Sequence, residues 1–381
     1  MQLEVIGVGG AGCRIADSIR AAEPAGHAFL TDVFAFDTDE ADLQRTVLPE
    51  SHRYRYGTES AFDDGLEAAT ETGQEYADEL LEVLERGSPT EADAFLVAVG
   101  LGGVTGGGTV PALVAALQRT YDESVYVLAT LPADREFDAE AGEPSALGGG
   151  SRKPSATTGE NTPPRPDAAT NAVRTLERLE GVASAIVPFD NEAWLRPGEE
   201  LADARDRSNR ELATRVAAVF DGGGESDGPV PQTVIDASDV ERIVGNESAI
   251  VALGYAEETV ETTSSKFGLG LLPTEREVET SEAVSAVETV VRKGIRGKLT
   301  LECEPDIAAR GLLIVGGPPA WLNRQAIAEG RRTLESAIGG SGILGGDAPR
   351  PDGETVFAGV VLADVESDRL ERLRDVAAQS E

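Results

Sequence analysis

The chain has 381 residues, enough for two or three domains of ordinary size. Its 33 basic and 68 acidic residues give a formal net charge of −35, which excludes nucleic acid as the default partner because a polyanion would be repelled. The sequence has no apolar run of the roughly 18 residues that a membrane-spanning helix needs, so direct insertion into a membrane is not expected.

The first half of the sequence alternates strand-like and helix-like patterns. The predicted strands lie at 3–7, 33–36, 94–99, 125–129 and 185–187. The predicted helices lie at about 9–20, 73–85, 110–121 and 168–179. Repeated strand–helix units of this kind predict a parallel sheet with helices on both faces.

The alternation fails between about 138 and 167. Runs of Gly, Ser, Thr and Pro in this stretch, among them residues 148–151 and 163–164, predict a flexible, low-complexity insertion. The first predicted domain, 1–198, therefore contains an interruption that is not expected to contribute to its core.

The second half begins with a long predicted helix at about 200–220, whose buried stripe includes Leu212 and Val216. Beyond residue 248 the predicted strands are one directly after 248 and those at 298–301, 311–315 and 356–362. The predicted helices are 281–292, 322–338 and a last one from about 364. This order predicts a central segment at 199–246 and a smaller α+β domain at 247–381.

Two features of the composition concern the compartment. Two cysteines, Cys13 and Cys303, are too few for disulfides to stabilise a chain of this length, so a reducing, cytoplasmic location is expected. Lysine is rare among the basic residues, and an acid-rich, lysine-poor composition is typical of halophilic proteins. In molar salt the Debye length falls to about 3 Å, so surface carboxylates repel one another little.

The first glycine-rich loop spans residues 7–12 and follows a predicted strand. It has the pattern G-x-G-x-x-G at the start of a helix, where backbone N–H groups and the helix dipole favour an anion. By itself the pattern also fits a Rossmann dinucleotide fold, in which Asp37 at the end of the second strand would bind a ribose, or a tight turn without a ligand.

The second glycine-rich loop contains six glycines between residues 100 and 108. Each costs roughly 0.5–1 kcal/mol of chain entropy relative to Ala, which indicates a loop that wraps around an anion rather than a simple turn. Two such helix starts at one sheet edge are expected to hold a triphosphate without a lysine. The sequence lacks the pattern G-x-x-x-x-G-K-[ST] of P-loop enzymes.

Residues 102–108 read G-G-x-T-G-x-G, and on this motif the sequence resembles the tubulin and FtsZ superfamily of GTPases. Further segments resemble CetZ, the tubulin-like cytoskeletal family of salt-loving archaea; these are 189–194, 234–239, 254–258, 296–301 and 316–324. The resemblance implies a tubulin/FtsZ-like α/β fold with a parallel-sheet nucleotide-binding domain, a long central helix and a smaller α+β domain. It also implies head-to-tail filaments that influence cell shape, with further copies of the chain, and related tubulin-like proteins, as partners.

The resemblance further implies a bound GTP or GDP, accompanied by Mg²⁺ and K⁺, with no metal ligand assigned to a protein side chain. Residues implied along the α- and β-phosphates are Gly9, Gly10, Ala11, Gly12, Cys13 and Arg14. Residues implied around the terminal phosphates are Gly102, Gly103, Val104, Thr105, Gly106, Gly107, Gly108 and Arg174. Asp37 and Thr38 are implied in a loop beside the nucleotide, Asn191 near the ribose or base, and Asn209 at the guanine edge. An amide at Asn209 suits a guanine edge because it both donates and accepts hydrogen bonds.

Asp236 and Asp239 follow the long predicted helix, which extends roughly 30 Å at 1.5 Å per residue. If Asn209 reads the base, these acids lie far from the phosphates of their own chain. The resemblance implies that they are catalytic in trans, positioning water at the γ-phosphate of the next subunit in a filament. A helix N-cap and a first-turn acid are the alternative roles.

Two departures leave hydrolysis open. The superfamily usually has Gly where this chain has Val104, and a β-branched residue would be strained if that position needed a positive φ. The loop after Leu131 is replaced by the insertion. The alternatives are therefore a catalytically weak or inactive nucleotide-bound regulator of related filaments and, on the first loop alone, an NAD-dependent oxidoreductase.

Overall fold

The computed structural model describes residues 1–24, 28–58, 65–137, 165–220, 231–245, 247–261, 263–264, 274–275 and 278–380. Most of the insertion predicted at 138–167 and the glycine-rich loop after residue 220 lie outside these residues. Within them, no helix combines the length and the apolar character needed to cross a membrane.

The structure alternates strands and helices along most of the chain. The strands are β1 (Leu3–Val8), β2 (Leu30–Asp37), β3 (Arg53–Arg55), β4 (Ala94–Gly100), β5 (Ser124–Leu131), β6 (Ala185–Asp190), β7 (Ala249–Thr259), β8 (Thr263–Ser264), β9 (Thr274–Glu275), β10 (Arg310–Gly317), β11 (Gly342–Pro349) and β12 (Thr355–Ala363). The helices are α1 (Gly9–Ala22), α2 (Glu40–Gln44), α3 (Leu66–Leu84), α4 (Val104–Thr120), α5 (Asp134–Phe137), α6 (Ala168–Leu179), α7 (Asn191–Trp194), α8 (Leu201–Phe220), α9 (Ala237–Val244), α10 (Thr280–Arg296), α11 (Arg324–Glu335) and α12 (Asp368–Ser380).

Ten strands form one sheet in the order β11-β10-β12-β7-β6-β5-β4-β1-β2-β3. The strands from β3 to β6 are parallel, as the repeated strand–helix units predict. Strand β12 runs antiparallel to both β7 and β10, and β11 is parallel to β10. The sheet therefore has a parallel N-terminal half and a mixed C-terminal half, as expected for the tubulin/FtsZ-like α/β fold.

The strand order reverses between β1 and β4. From β1 the chain continues outward through β2 and β3, and it then returns to place β4 on the other side of β1. Helix α1 packs its apolar residues on one face of the sheet and α4 packs on the opposite face. A crevice therefore opens at the carboxyl ends of β1 and β4, where ligands bind in open α/β sheets.

Several sequence predictions differ from the structure. Helix α4 begins at Val104, six residues before the predicted start, because three of the six glycines read as a loop (106–108) are helical. No strand forms at 298–301; instead Thr300 N donates to Leu253 O at 2.9 Å and Thr300 Oγ1 accepts from Leu253 N at 2.9 Å. Strand β11 was not predicted, since three glycines at 342, 345 and 346 weaken its strand pattern.

Candidate functional site

A cleft of about 400 Å³ opens at the carboxyl ends of β1, β4 and β5. It is bordered by the starts of α1 and α4, by α7 and by the first half of α8. This volume lies in the range of small-molecule sites. The cleft occupies the crevice that the strand order predicts, and it is lined by backbone from both glycine-rich loops.

The two glycine-rich loops touch each other in this cleft. Gly9 has a φ of +71°, which favours glycine, and a Cβ atom there would lie 3.1 Å from Gly106 N. A Cβ atom at Gly106 would lie 3.0 Å from Val8 O. The two loops are therefore close enough to form one anion site, and the N-termini of α1 and α4 converge.

Most of the predicted nucleotide-binding residues line the cleft. They are Gly9, Gly10, Ala11, Arg14, Gly102, Gly103, Val104, Thr105, Gly106, Asn191 and Asn209. Asn191 begins α7 directly after β6, and Asn209 lies near the middle of α8, so elements from distant parts of the sequence meet here. Val104 is the first residue of α4 and is absent from the residues with positive φ, so its β-branched side chain causes no backbone strain.

Three predicted residues from the first half of the sheet do not line the cleft. A Cβ atom at Gly12 would lie 2.1 Å from Ala98 O, so this glycine lets α1 pack closely on β4. Cys13 is buried beneath the loop with its Sγ 3.5 Å from Phe36 O, and burial raises the pKa of its thiol. Thr38 is also buried, and its carbonyl accepts a hydrogen bond from Arg55 Nε.

Asp37 is likewise outside the cleft lining. Its Oδ1 accepts hydrogen bonds from the backbone N–H groups of Thr38 at 2.7 Å and Asp39 at 3.3 Å. Burial raises the pKa of this carboxyl to about 6 despite these hydrogen bonds. Asp37 therefore shapes the turn after β2, and it does not line the cleft, where the dinucleotide alternative would need it.

The last glycines of the second loop serve helix packing. A Cβ atom at Gly107 would lie 2.7 Å from Thr175 Oγ1 of α6, and one at Gly108 would lie 2.6 Å from the backbone of Ala69 in α3. The expectation that all six glycines wrap an anion is therefore too broad. Arg174 also lies away from the cleft lining, on α6, with its guanidinium 3.8 Å from Glu67 Oε1.

Four charged side chains outside the sequence motifs also line the cleft: Asp42, Glu136, Arg165 and Arg205. Arg14 Nη1 lies 3.5 Å from Asp42 Oδ2, and desolvation, followed by the charge of Arg205, lowers the pKa of Arg14. The buried Glu136 accepts hydrogen bonds from Ala133 N at 2.8 Å and from the guanidinium of Arg165. Arg165 also lies beside the second loop, since a Cβ atom at Gly103 would be 3.8 Å from its Nη1.

The charges that line the cleft differ in sign from the chain as a whole. Three arginines (Arg14, Arg165 and Arg205) face two acids, Asp42 and Glu136, which gives a net charge of +1 in a chain of net charge −35. An anionic ligand is therefore attracted to this cleft and repelled by most of the remaining surface. Within the described residues no group of three or more His, Cys, Asp or Glu side chains is arranged to hold a metal ion.

The two predicted catalytic acids lie beyond the end of α8 and outside the cleft. Asp236 is the N-cap of α9, and its Oδ1 accepts from Asp239 N at 2.9 Å and Ser238 Oγ at 2.7 Å. These hydrogen bonds, that of Ser238 first, lower the pKa of Asp236. Asp239 lies 3.2 Å from Arg242, and it remains partly accessible.

Asp347 of β11 anchors the segment that precedes these acids. Its buried carboxylate accepts from Gln232 N at 2.9 Å and Thr233 N at 2.7 Å, and its own N–H donates to Thr233 O at 3.2 Å. Ile235 fills the space above Gly346, where a Cβ atom would lie 2.5 Å from its Cγ1. The acid segment is therefore fixed to the C-terminal half of the sheet.

Comparison with known families covers most of the chain. Residues 2–146 match the tubulin/FtsZ family GTPase domain, and residues 198–379 match the C-terminal domain of tubulin-like CetZ. The tubulin-like protein CetZ5 of Haloferax volcanii is 32% identical over an alignment that covers 100% of this chain and 92% of the relative. The chain belongs to the CetZ family. A CetZ protein of Thermococcus kodakarensis is 25% identical, with 98% of this chain and 85% of the relative covered.

Solved structures of CetZ proteins superpose along the whole chain. CetZ1 from Haloferax volcanii, described as a GDP-bound monomer, has a TM-score of 0.78 at 28% identity. The superposition covers 100% of this chain and 99% of the CetZ1 chain. CetZ2 from the same organism, described as a GTPγS-bound protofilament, has a TM-score of 0.78 at 25% identity with the same coverage. FtsZ of M. jannaschii shares the fold, with a TM-score of 0.65 at 20% identity, covering 95% of this chain and 88% of its own.

Proposed function

We propose that this CetZ-family chain is a cytoplasmic, guanine-nucleotide-binding cytoskeletal protein that assembles head-to-tail into filaments and influences cell shape. The observation that carries the proposal is the contact between Gly9 and Gly106, which brings two helix N-termini to one cleft together with Asn209. Two helix dipoles and a set of converging N–H groups suit a di- or triphosphate. The relatives named GDP-bound and GTPγS-bound support the same ligand class.

Each lining group has a role in this proposal. The N–H groups of the loop at 9–11 bind the α- and β-phosphates, and those at 102–106 bind the terminal phosphates, with the Thr105 hydroxyl as a further donor. Arg165, held by Glu136, supplies positive charge beside the second loop. Asn191 and Asn209 bind the ribose and the base edge.

Mg²⁺ and K⁺ are proposed as accompanying cations. Asp42 and Glu136 are the carboxylates of the described cleft lining, and each is already paired with an arginine. A Mg²⁺ ion in this cleft would therefore take most of its oxygen ligands from the nucleotide phosphates and water, which is its usual manner of binding.

Hydrolysis is proposed to occur between neighbouring subunits. From Asn209 to the end of α8 the helix extends about 16 Å, and the acids follow beyond it, so they are positioned away from their own cleft. In a head-to-tail filament Asp236 and Asp239 would orient the attacking water at the γ-phosphorus of the next subunit. The protofilament of CetZ2 supports this mode of assembly, with further copies of the chain or related tubulin-like proteins as neighbours.

A second candidate function keeps the nucleotide and omits hydrolysis. The carboxylate of Asp236 already serves as an N-cap acceptor for two donors, which is sufficient to explain its presence at this position. In that case the chain would be a nucleotide-bound regulator of related filaments. Phosphate release that depends on Asp236 would contradict this second candidate.

The experiment uses the full chain purified in molar KCl. The nucleotide released on denaturation is identified by chromatography, and assembly is followed by light scattering and pelleting with GTP, with GDP and without nucleotide. We expect released guanine nucleotide and scattering that depends on GTP. Asn209→Ala should lose the preference for guanine over adenine nucleotides, whereas the exposed Asp203→Asn on the same helix should behave as the wild type. Absence of both bound guanine nucleotide and GTP-dependent assembly would contradict the proposal.

A further inference from the structure

One wall of the cleft is built by helices α1 and α8, which pack against each other. This wall contains Asn209 and is the part of the cleft where the proposed function places the base. Its lining residues are Arg14, Ile15, Leu201, Arg205, Ser208 and Asn209. The flat faces of a purine need a partner here, because a base that leaves water gains most from stacking on another planar group.

No aromatic side chain lines the cleft among the residues that the structure describes. The remaining planar groups of the lining are two amides and three guanidinium groups. Arginine guanidinium planes are known partners of bases and aromatic rings, since they are delocalised and weakly hydrated.

Two of the three guanidinium groups already have an acidic partner. Arg14 lies 3.5 Å from Asp42, and Arg165 donates to Glu136. Arg205 makes no hydrogen bond or ion pair with any residue that the structure describes, although it lies near enough to Arg14 for its charge to act on it. The Arg205 guanidinium, unpaired among the described residues, is therefore available to a ligand in this cleft.

Arg205 also lies at the right place on its helix. It precedes Asn209 by four residues, so the two side chains share one face of α8 about one turn apart. One side chain can therefore meet a face of a base while the other meets its edge.

We infer that Arg205 binds the guanine base of the nucleotide by stacking its guanidinium plane on the ring, in the place where an aromatic side chain would otherwise be expected. The inference rests on the proposed function, because it needs a guanine nucleotide in this cleft. It makes Arg205 a base-binding residue rather than a phosphate ligand. The planarity of the side chain, and not its charge, is the property that matters.

The test measures GDP binding to the nucleotide-free full chain by titration calorimetry in molar KCl. We expect Arg205→Ala and Arg205→Lys each to weaken GDP binding by about tenfold or more, since both remove the planar group. Arg205→Phe should keep most of the affinity because it restores a planar face. Arg210→Ala, an exposed arginine on the same helix, should leave GDP binding unchanged.

Inorganic pyrophosphate serves as a probe without a base. Its affinity should be the same for the wild type and for Arg205→Lys, which keeps the positive charge, and thermal unfolding without ligand checks that the variant is folded. Wild-type affinity for GDP in Arg205→Lys, an Arg205→Phe variant as weak as Arg205→Ala, or an equal loss of pyrophosphate binding would overturn the inference. Absence of GDP binding by the wild type would instead overturn the proposed function, and this inference with it.

Discussion

Arg369 of α12 donates from Nε to Oδ1 of Asp190 at 3.0 Å, with both side chains buried although 179 positions separate them. The same guanidinium donates to Pro132 O at 2.6 Å and to a carboxylate oxygen of Asp134. Asp190 ends β6 and caps α7 by accepting from Glu192 N at 3.2 Å. The C-terminal helix is therefore fastened to the segments that border the nucleotide cleft.

Arg369→Ala should destabilise the chain by about 3–5 kcal/mol, because it leaves the buried Asp190 carboxylate without its cation. Thermal or denaturant unfolding in molar KCl measures the loss, and Arg372→Ala on the exposed side of α12 is the matched control. Asp190→Asn should recover part of the loss in the double variant, since it removes the uncompensated charge. Equal stability of the Arg369 and Arg372 variants would contradict this account.

Glu4 is fully buried in β1, and neither carboxylate oxygen has a partner among the described residues. Burial, and secondarily the charge of Asp32, raises the pKa of Glu4 from 4.5 to about 8. The fold thus favours the protonated carboxyl. The stability that the protonated Glu4 carboxyl contributes is fully present below pH 4.5. It declines above that pH, because Glu4 ionises first in the unfolded chain, and it is lost once the pH exceeds about 8.

Glu4→Gln should remove this pH dependence. Each pKa unit corresponds to about 1.4 kcal/mol, so the variant should gain a few kcal/mol relative to the wild type between pH 5 and pH 9. Melting temperatures in molar KCl across this range provide the measurement. Glu75→Gln on the exposed face of α3 should follow the wild-type curve. A Glu4→Gln curve parallel to the wild type would show that Glu4 ionises normally.

Two glycines of the second loop should respond differently to alanine. Gly108→Ala should cost about 1–3 kcal/mol of stability, because its Cβ would lie 2.6 Å from the backbone of Ala69. A Cβ atom at Gly103 would lie 3.5 Å from its nearest neighbour, Gly100 O, which is an ordinary contact. The fold should therefore tolerate Gly103→Ala. Unfolding curves of the two variants provide the comparison, and a larger loss for Gly103→Ala would contradict the packing argument.

Asp236→Asn should lower GTP hydrolysis by about 100-fold or more while leaving the fold intact, since Asn is an equally good N-cap. Phosphate release and melting temperature are measured together, with Asp203→Asn as the control. Mixing Asp236→Asn with Asn209→Ala should restore part of the activity, because one variant has an intact cleft and the other intact acids. A mixture no more active than its components would argue against catalysis between subunits.

Strong local patterns predicted much of the fold. The long helix predicted at 200–220 is α8, Leu201–Phe220, and the first loop opens α1 as its glycine spacing indicates. The errors at the start of α4 and at β11 occur where glycine has a role in packing rather than in a turn. The glycines of β11 make room for Arg331 and Ile235, whose side chains would lie within 3 Å of added Cβ atoms, and this close packing has no local pattern in the sequence.

The candidate site was predictable to the extent that its residues belong to contiguous motifs. The first part of each glycine-rich loop, 9–11 and 102–106, lines one cleft together with Asn209, as their motifs predict. Arg165, Arg205 and Asp42 reach the same cleft from elements whose sequences have no motif of their own. Long-range contacts of this kind depend on the strand order, which brings together segments that are distant in sequence.

The seam between β6 and β7 is short, pairing only Ala185 with Ala249 and Ile186 with Ile250. Backbone hydrogen bonds along so short a seam resist twisting far less than those along β4 and β5, which pair over seven residues. Torsional stiffness between the two halves of the sheet must therefore come largely from α8 and from side chains such as Arg369. In a polymer under mechanical load, these contacts would determine how far the two halves of each subunit twist relative to each other.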